Sequence, residues 1–230
     1  MPLRCVTFDL DDTLWECGSL LNAAEEAFYE WIACHYPRIS ERYDRQELVA
    51  HRRGYFQRHP EMEHDFTYLR RRWLRHLAES FGYGTQLEEH GFRVFWEHRN
   101  AVTLFEEVHA ALDGMRERYA VGAITNGNAD VHHIGIGHYF DFVITAADAG
   151  AAKPKAEIFL AALAAAGVEA CHAVHVGDDP KRDVHGANAV GMRTVWVNVN
   201  ATPWPGGPPP DAEIRTLDEL EPVLERWRDQ

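Results

Sequence analysis

The stretch Cys5-Val6-Thr7-Phe8-Asp9-Leu10-Asp11-Asp12-Thr13-Leu14 decides the fold. Its first four residues form a near-continuous apolar run ending at polar residues, the pattern of a buried parallel strand. Acids then follow at the carboxyl end of that strand, where open α/β sheets bind their ligands. Asp9 and Asp11 stand two apart. They point the same general way if the strand persists and fan out if a loop takes over. Two acids at one place repel, so a metal, a shared proton or both must offset the repulsion. On its own the stretch reads equally well as a helix start, with Asp12-Thr13 as the N-cap.

Outward from this strand the periodicity becomes helical, from about Ser19 to Asn100. Leu20, Leu21, Ala24, Ala27, Phe28, Trp31 and Ile32 make one apolar face, which Pro37 stops. Asp44 with Glu47 reads as a capping box, and Thr85 with Glu88 as another. Leu69, Trp73, Leu77 and Phe81 form a second stripe, and Leu87, Phe92, Phe95 and Trp96 a third. These aromatics read as bundle core. The insert, about 80 residues long, is large enough for a small domain.

From Val102 onward helices and strands alternate. Strands are predicted at Ala120–Ile124, Phe142–Thr145, Ala173–Val176 and Thr194–Val197, with a helix from Ile158 to Ala166 stopped by Gly167. Such alternation predicts a doubly wound parallel sheet of the α/β class, covered on both faces. The run Pro203-Trp204-Pro205-Gly206-Gly207-Pro208-Pro209-Pro210 reads as a loop. Thr216 with Glu219 is expected to cap a last helix. The expected organisation is a split core, residues 1–17 and 98–230, with an inserted α-helical domain at 18–97.

A net charge of −13 over 230 residues argues against nucleic acid or an anionic membrane as partner. No apolar stretch is long enough to span a bilayer, and the first residues lack a signal-peptide pattern. Cys5, Cys17, Cys34 and Cys171 show no metal-type spacing and read as reduced thiols, so a cytoplasmic location is expected. The 14 histidines are scattered, and no zinc site is expected. Nothing in the sequence specifies an oligomeric state.

The predicted strands end in chemistry. The first ends in Asp9 and Asp11, the second in Thr125-Asn126-Gly127, and the fourth in Gly177-Asp178-Asp179 with Asp183 beyond; Lys153-Pro154 precedes a helix. A parallel sheet gathers Asp9, Asp11, Thr125, Asn126, Lys153, Asp178 and Asp183 on one edge. Two unit charges about 4 Å apart interact by roughly 4 kcal/mol at an effective dielectric near 20. Four acids would therefore exclude a phosphate dianion unless a cation intervened. Carboxylate and phosphate oxygens suit Mg²⁺. No histidine, cysteine or serine has a comparable setting, and a carboxylate nucleophile splits phosphoryl transfer into two easier steps.

In order and spacing, Asp9-Leu10-Asp11-Asp12-Thr13-Leu14, Ile124-Thr125-Asn126, Lys153-Pro154 and Gly177-Asp178-Asp179-Pro180-Lys181-Arg182-Asp183 resemble the four motifs of the haloacid dehalogenase-like hydrolase superfamily. The resemblance covers the whole core, and the helical insert is similar to the family's type 1 cap. It implies a Mg²⁺-dependent phosphomonoesterase for a small-molecule phosphate ester. Asp9 would be the nucleophile, and Asp11 would protonate the leaving alkoxide and then deprotonate the attacking water. The Asp9 carboxylate, the Asp11 backbone carbonyl and Asp178 would hold Mg²⁺, with Asp183 close by or acting through water. Thr125 and Asn126 would bind phosphate, and Lys153 would steady Asp9 and the phosphate. Asp179 is expected as support, Asp12 as an N-cap and His175 as a satisfied core residue.

Ile124-Thr125-Asn126-Gly127-Asn128-Ala129, His175-Val176-Gly177-Asp178-Asp179 and the segment from Pro60 to Thr67 look like a bacterial branch. That branch acts on flavin mononucleotide and on 5-amino-6-(5-phospho-D-ribitylamino)uracil. Trp15 is expected either against the leaving group or in packing, and His64, Asp65 and Thr67 as polar residues able to face the site. A 2-haloacid dehalogenase shares fold and cap, but such enzymes lack the second acid, so Asp11 disfavours it. A phosphomutase would keep all these residues. A non-catalytic binding protein would be expected to carry a damaged motif, and none is damaged here.

Overall fold

The computed structural model describes residues 2–228. They divide into two compact units, Met1–Glu16 with Thr103–Gln230, and Cys17–Val102.

The first unit is built on a six-stranded, all-parallel sheet among the described residues, in the order β3-β2-β1-β4-β5-β6. The strands are β1 (Cys5–Phe8), β2 (Ala120–Thr125), β3 (Phe142–Thr145), β4 (Ala173–Gly177), β5 (Arg193–Val197) and β6 (Ala212–Ile214). Both β1 and β4 are buried along their whole length, as their unbroken apolar runs predict for a sheet covered on both faces. Phe8 pairs with Ala123 on one side and Val176 on the other. This register puts the residues after β1, β2 and β4 at one edge, flanking the point where strand order reverses. One layer of helical packing gathers Ile158, Phe159, Ala162 and Leu163 with Cys5 and Ile124. Gly167 ends the helix Ala156–Ala166 in a left-handed conformation at φ 64°, where glycine escapes the Cβ penalty.

The second unit is helical, with helices Cys17–His35, Pro37–Ser40, Arg45–Gln57, Phe66–Ser80 and Gln86–Arg99. Ala24, Phe28, Ile32, Leu48, Trp73, Leu74, Leu77, Leu87, Phe92 and Phe95 form its core. Gly91 lies against the Phe28 and Trp31 rings, where a Cβ would stand 3.2 and 3.1 Å from their carbons. The capping box of Asp44 and Glu47 is present in both directions. No helix among the described residues is long and apolar enough to cross a membrane.

Three local expectations are corrected. Thr85 makes no side-chain cap, because its φ −64°, ψ −17° is already helical, and an N-cap needs extended backbone. Thr216 precedes only a 3-10 turn and makes no cap either; the Glu219 carboxylate instead accepts from the Arg215 N–H at 3.2 Å. Asp12 adopts φ 61° in a turn rather than capping a helix, and the first helix starts only at Cys17. The first helix does end at His35, just before Pro37 as expected, and Pro37 opens a short helix of its own. Strand β6 was hidden behind the proline-rich loop.

Candidate active site

Asp9 follows β1 and is 8% exposed. Its Oδ1 lies 2.6 Å from Lys153 Nζ. The same ammonium donates to Asp183 Oδ1 at 2.6 Å and to the Ile124 carbonyl at 2.9 Å. Three N–H groups thus meet three acceptors. The Lys153 backbone is fixed by Asn126, whose Nδ2 donates to the Lys153 carbonyl at 3.0 Å and whose Oδ1 accepts from its N–H at 2.6 Å. The sequence expectation of Asn126 as a phosphate donor is therefore overlaid by a different duty, the alignment of the lysine. Thr125 is buried, and its Oγ1 accepts from the Gly127 N–H at 2.9 Å, which leaves the hydroxyl proton to donate.

Asp183 is the buried anchor. Oδ1 accepts from Lys153 and from His175 Nε2 at 3.1 Å, and Oδ2 accepts from the Asp179 N–H at 2.9 Å. Burial opposes its charge, but Lys153 and the His175 hydrogen bond outweigh it and hold the carboxyl well below the usual range. Burial lowers the His175 pKa and keeps the ring neutral. Its Nε2 faces Asp183, and its Nδ1 lies 2.9 Å from the Thr7 hydroxyl oxygen, whose own proton is directed to the Val174 carbonyl at 3.2 Å. His175 is the satisfied core residue expected from its place in a strand.

Asp9 shares the lysine but lacks the extra donors. Burial pushes its pKa well above the ordinary value, and Asp183 and Asp178 add repulsion that Lys153 only partly offsets. Asp178, after β4, is pushed up to about 7 by burial and by Asp183 and Asp12. Candidate ligand oxygens of Asp9, Asp178 and Asp183 lie within 4.8 Å of one another. An all-carboxylate set in which two members resist ionisation fits a hard divalent cation, which would neutralise both. Asp179 stands outside this group. Its carboxylate caps the following turn, accepting from the Lys181 and Arg182 N–H groups at 2.8 Å each.

Asp11 accepts a hydrogen bond from the Trp15 indole at 2.9 Å. Trp15 is fully buried. His64 belongs to the helical unit and is half-buried, in the turn before the helix Phe66–Ser80; Asp65 caps that helix by accepting from the Tyr68 N–H at 2.8 Å. Sequence reasoning missed Thr13, whose hydroxyl lies 3.4 Å from Asp178 Oδ1, and Trp196, whose indole donates to the Asp178 carbonyl at 2.7 Å. A tryptophan paired across from Gly177 was the available signal. Away from this edge, Cys171 lies with Glu169 and His172, their ligand atoms within 4.8 Å of one another, although the cysteine spacing announced no such group.

The profile of haloacid dehalogenase-like hydrolases matches residues 3–191. The 5-amino-6-(5-phospho-D-ribitylamino)uracil phosphatase YigB of Escherichia coli K12 is 28% identical over 199 residues, covering 85% of this chain and 83% of that one. The glyceraldehyde 3-phosphate phosphatase of Pyrococcus abyssi is 32% identical over 203 residues, covering 84% and 81%. The crystal structure of a 2-haloacid dehalogenase from Pseudomonas syringae pv. Tomato DC3000 superposes with a TM-score of 0.92 at 40% identity, covering 98% of this chain and 99% of the other.

Proposed function

Because the chain belongs to the haloacid dehalogenase-like hydrolase family, we propose that it is a Mg²⁺-dependent phosphomonoesterase working through an aspartyl phosphate. The observation that supports this most is the pair of acids after β1 in two different settings. Asp9 sits on the Lys153 ammonium, while Asp11 is oriented by an indole N–H. On this reading the first is the nucleophile and the second the proton carrier.

Asp9 attacks phosphorus, forming a P–O bond as the ester P–O bond breaks. Asp11 delivers its proton to the departing alkoxide. A water then gives a proton to Asp11 and attacks the aspartyl phosphate, which releases inorganic phosphate and restores Asp9. Thr125 donates its hydroxyl to a phosphate oxygen, and Lys153 keeps Asp9 aligned through the step. Asp9, Asp178 and the Asp11 backbone carbonyl are the groups assigned to Mg²⁺, with Asp183 supporting them through Lys153. Bound there, Mg²⁺ supplies the positive charge that lets Asp9 ionise beside a phosphate dianion.

The core side chains engage one another and the phosphate, so selection of the organic group is assigned to the helical unit as a cap, with His64 as its candidate contact. 5-Amino-6-(5-phospho-D-ribitylamino)uracil, in keeping with the similarity to YigB, and flavin mononucleotide are the first substrates to try. A phosphate-release screen over phosphorylated metabolites, with Mg²⁺ or with excess chelator, tests the reading. Release that persists in chelator, or in Asp9→Asn, would overturn it.

The 40% identity to a protein named as a 2-haloacid dehalogenase favours one second reading. In that chemistry the leaving group is halide and needs no proton, so Asp11→Asn would spare it. Halide release from 2-chloropropionate, unaffected by Asp11→Asn, would select dehalogenation over phosphate hydrolysis.

A further inference from the structure

The proline-rich loop has no role in the reaction as derived, yet it touches the acid edge through two tryptophans. Trp196, on β5, is 2% exposed, and its indole N–H donates to the backbone carbonyl of Asp178 at 2.7 Å. Trp204, within the loop, meets Trp196 edge-on, with ring centroids 5.1 Å apart and planes at 71°. His185 packs edge-on against Trp204 in turn, at 5.4 Å and 83°. The loop is itself pinned: the Trp204 indole donates to the Gly207 carbonyl at 3.3 Å, and Asn188 Nδ2 donates to the Pro209 carbonyl at 3.3 Å. Gly207, at φ 84°, approaches His185 so closely that a Cβ would stand 2.7 Å from Nε2.

Asp178 is thereby gripped at both ends. Trp196 holds its carbonyl, and the Thr13 hydroxyl lies 3.4 Å from its carboxylate. The grip has work to resist, because candidate ligand oxygens of Asp178, Asp9 and Asp183 lie within 4.8 Å of one another, and like charges at that range repel. A carboxylate in a repulsive setting moves away unless its backbone is fixed from outside the acid cluster. The aromatic stack supplies that fixed point, since its edge-on contacts are a favoured ring geometry and its three rings lie on separate segments of chain.

We propose that Trp196 is a positioning residue for the divalent cation, holding Asp178 in ligand geometry, and that the loop 203–210 acts as a strap which locks Trp196 through Trp204. The inference rests on the phosphatase reading only in taking Asp178 as a cation ligand. It extends the working site to a loop that touches no reacting atom.

The test is titration of the purified full chain with Mg²⁺ by calorimetry, and with Mn²⁺ by electron paramagnetic resonance. Trp196→Phe keeps a ring for Trp204 and removes the indole N–H together with part of the ring. Losing one hydrogen bond to a ligand's backbone should weaken Mg²⁺ binding about five- to tenfold. Inhibition by orthovanadate at saturating Mg²⁺ should stay within about twofold, since Lys153 and Thr125 are untouched. Trp204→Ala, with the strap loosened and the indole retained, should weaken Mg²⁺ binding by a smaller factor. It serves as the readout if Trp196→Phe does not fold. Wild-type Mg²⁺ affinity in the folded variants would overturn the proposal, as would equal losses of Mg²⁺ and vanadate binding. Mg²⁺ binding by the wild type that falls in Trp196→Phe, without phosphate release from any ester, would sink the phosphatase reading and leave this inference standing.

Discussion

Lys153 Nζ lies 2.6 Å from Asp183 Oδ1, both side chains nearly inaccessible to solvent. The ammonium is equally close to Asp9. Removing it would leave two buried carboxylates facing each other, a change that costs about 3–5 kcal/mol when one partner of a buried pair is lost. Lys153→Met is therefore expected to lose about that much stability in urea unfolding and to lose phosphate release entirely. Lys153→Arg should not rescue it, because a planar guanidinium cannot direct donors to Asp9, Asp183 and the Ile124 carbonyl at once. Activity retained in Lys153→Met would show that Asp9 needs no fixed cation beside it.

Gly177 makes room for Asp183. A Cβ there would collide with the Asp183 Cγ and Oδ2, and the side chain that must move is locked by Lys153, His175 and the Asp179 N–H. Gly177→Ala is expected to destabilise the chain by about 1–3 kcal/mol, as overpacking does, and to lower phosphate release at least tenfold by displacing the Lys153 anchor. Wild-type turnover in this variant would mean that Asp183 has freedom the hydrogen bonds do not suggest.

The acid edge also dictates a pH dependence. Asp178 is pushed up to about 7 in the folded chain, so the folded state keeps a proton that the unfolded chain releases. Its contribution to stability is complete below the ordinary carboxylate range and is lost as pH rises toward 7. Asp9 is raised in the same sense, whereas Asp183 is lowered and matters only in strong acid. Metal-free Asp178→Asn should thus melt higher than wild type at pH 8, by roughly 2–4 °C for each kcal/mol relieved, and similarly to it near pH 4. Mg²⁺ should raise the wild-type melting temperature more at pH 8 than at pH 6, and should do little for Asp178→Asn. Thermal melts with and without Mg²⁺ at the three pH values decide it.

The strands and their chemistry were legible because buried parallel strands are written as apolar runs and their ligands follow directly. β1, β3 and the acids after β1 and β4 could be read from single stretches. What stayed hidden depends on pairs far apart in the chain. Asn126 and Lys153 are 27 residues apart, and no local pattern says that their amides meet. His175 and Thr7 look like interruptions of two apolar strands until β4 pairs with β1 and sets them side by side. Capping patterns misled where backbone geometry disagreed: Asp44, at ψ 177°, caps, and Thr85, at ψ −17°, does not, although both stand three residues before a glutamate. Three-residue β6 carries too little pattern to be seen at all.

In the helical unit, neighbouring residues His64 and Asp65 should respond differently to truncation. The Asp65 carboxylate accepts from the Tyr68 N–H at 2.8 Å and so caps the helix Phe66–Ser80. Replacing a capping aspartate by alanine costs about 1 kcal/mol, so Asp65→Ala should lower the melting temperature by roughly 2–4 °C. Any loss of activity in that variant should fall evenly on all phosphate esters, because the whole helix shifts. His64 caps nothing, and its truncation should leave the melting temperature within about 1 °C, as surface changes do. If the helical unit selects the leaving group through His64, His64→Ala should change the ratio of kcat/KM between flavin mononucleotide and p-nitrophenyl phosphate by at least threefold. The two variants separate selection from stability, since one measurement reads the fold and the other the ratio. An unchanged ratio in His64→Ala, alongside an altered ratio in Asp65→Ala, would move the selecting contact to the helix start and remove His64 from the site.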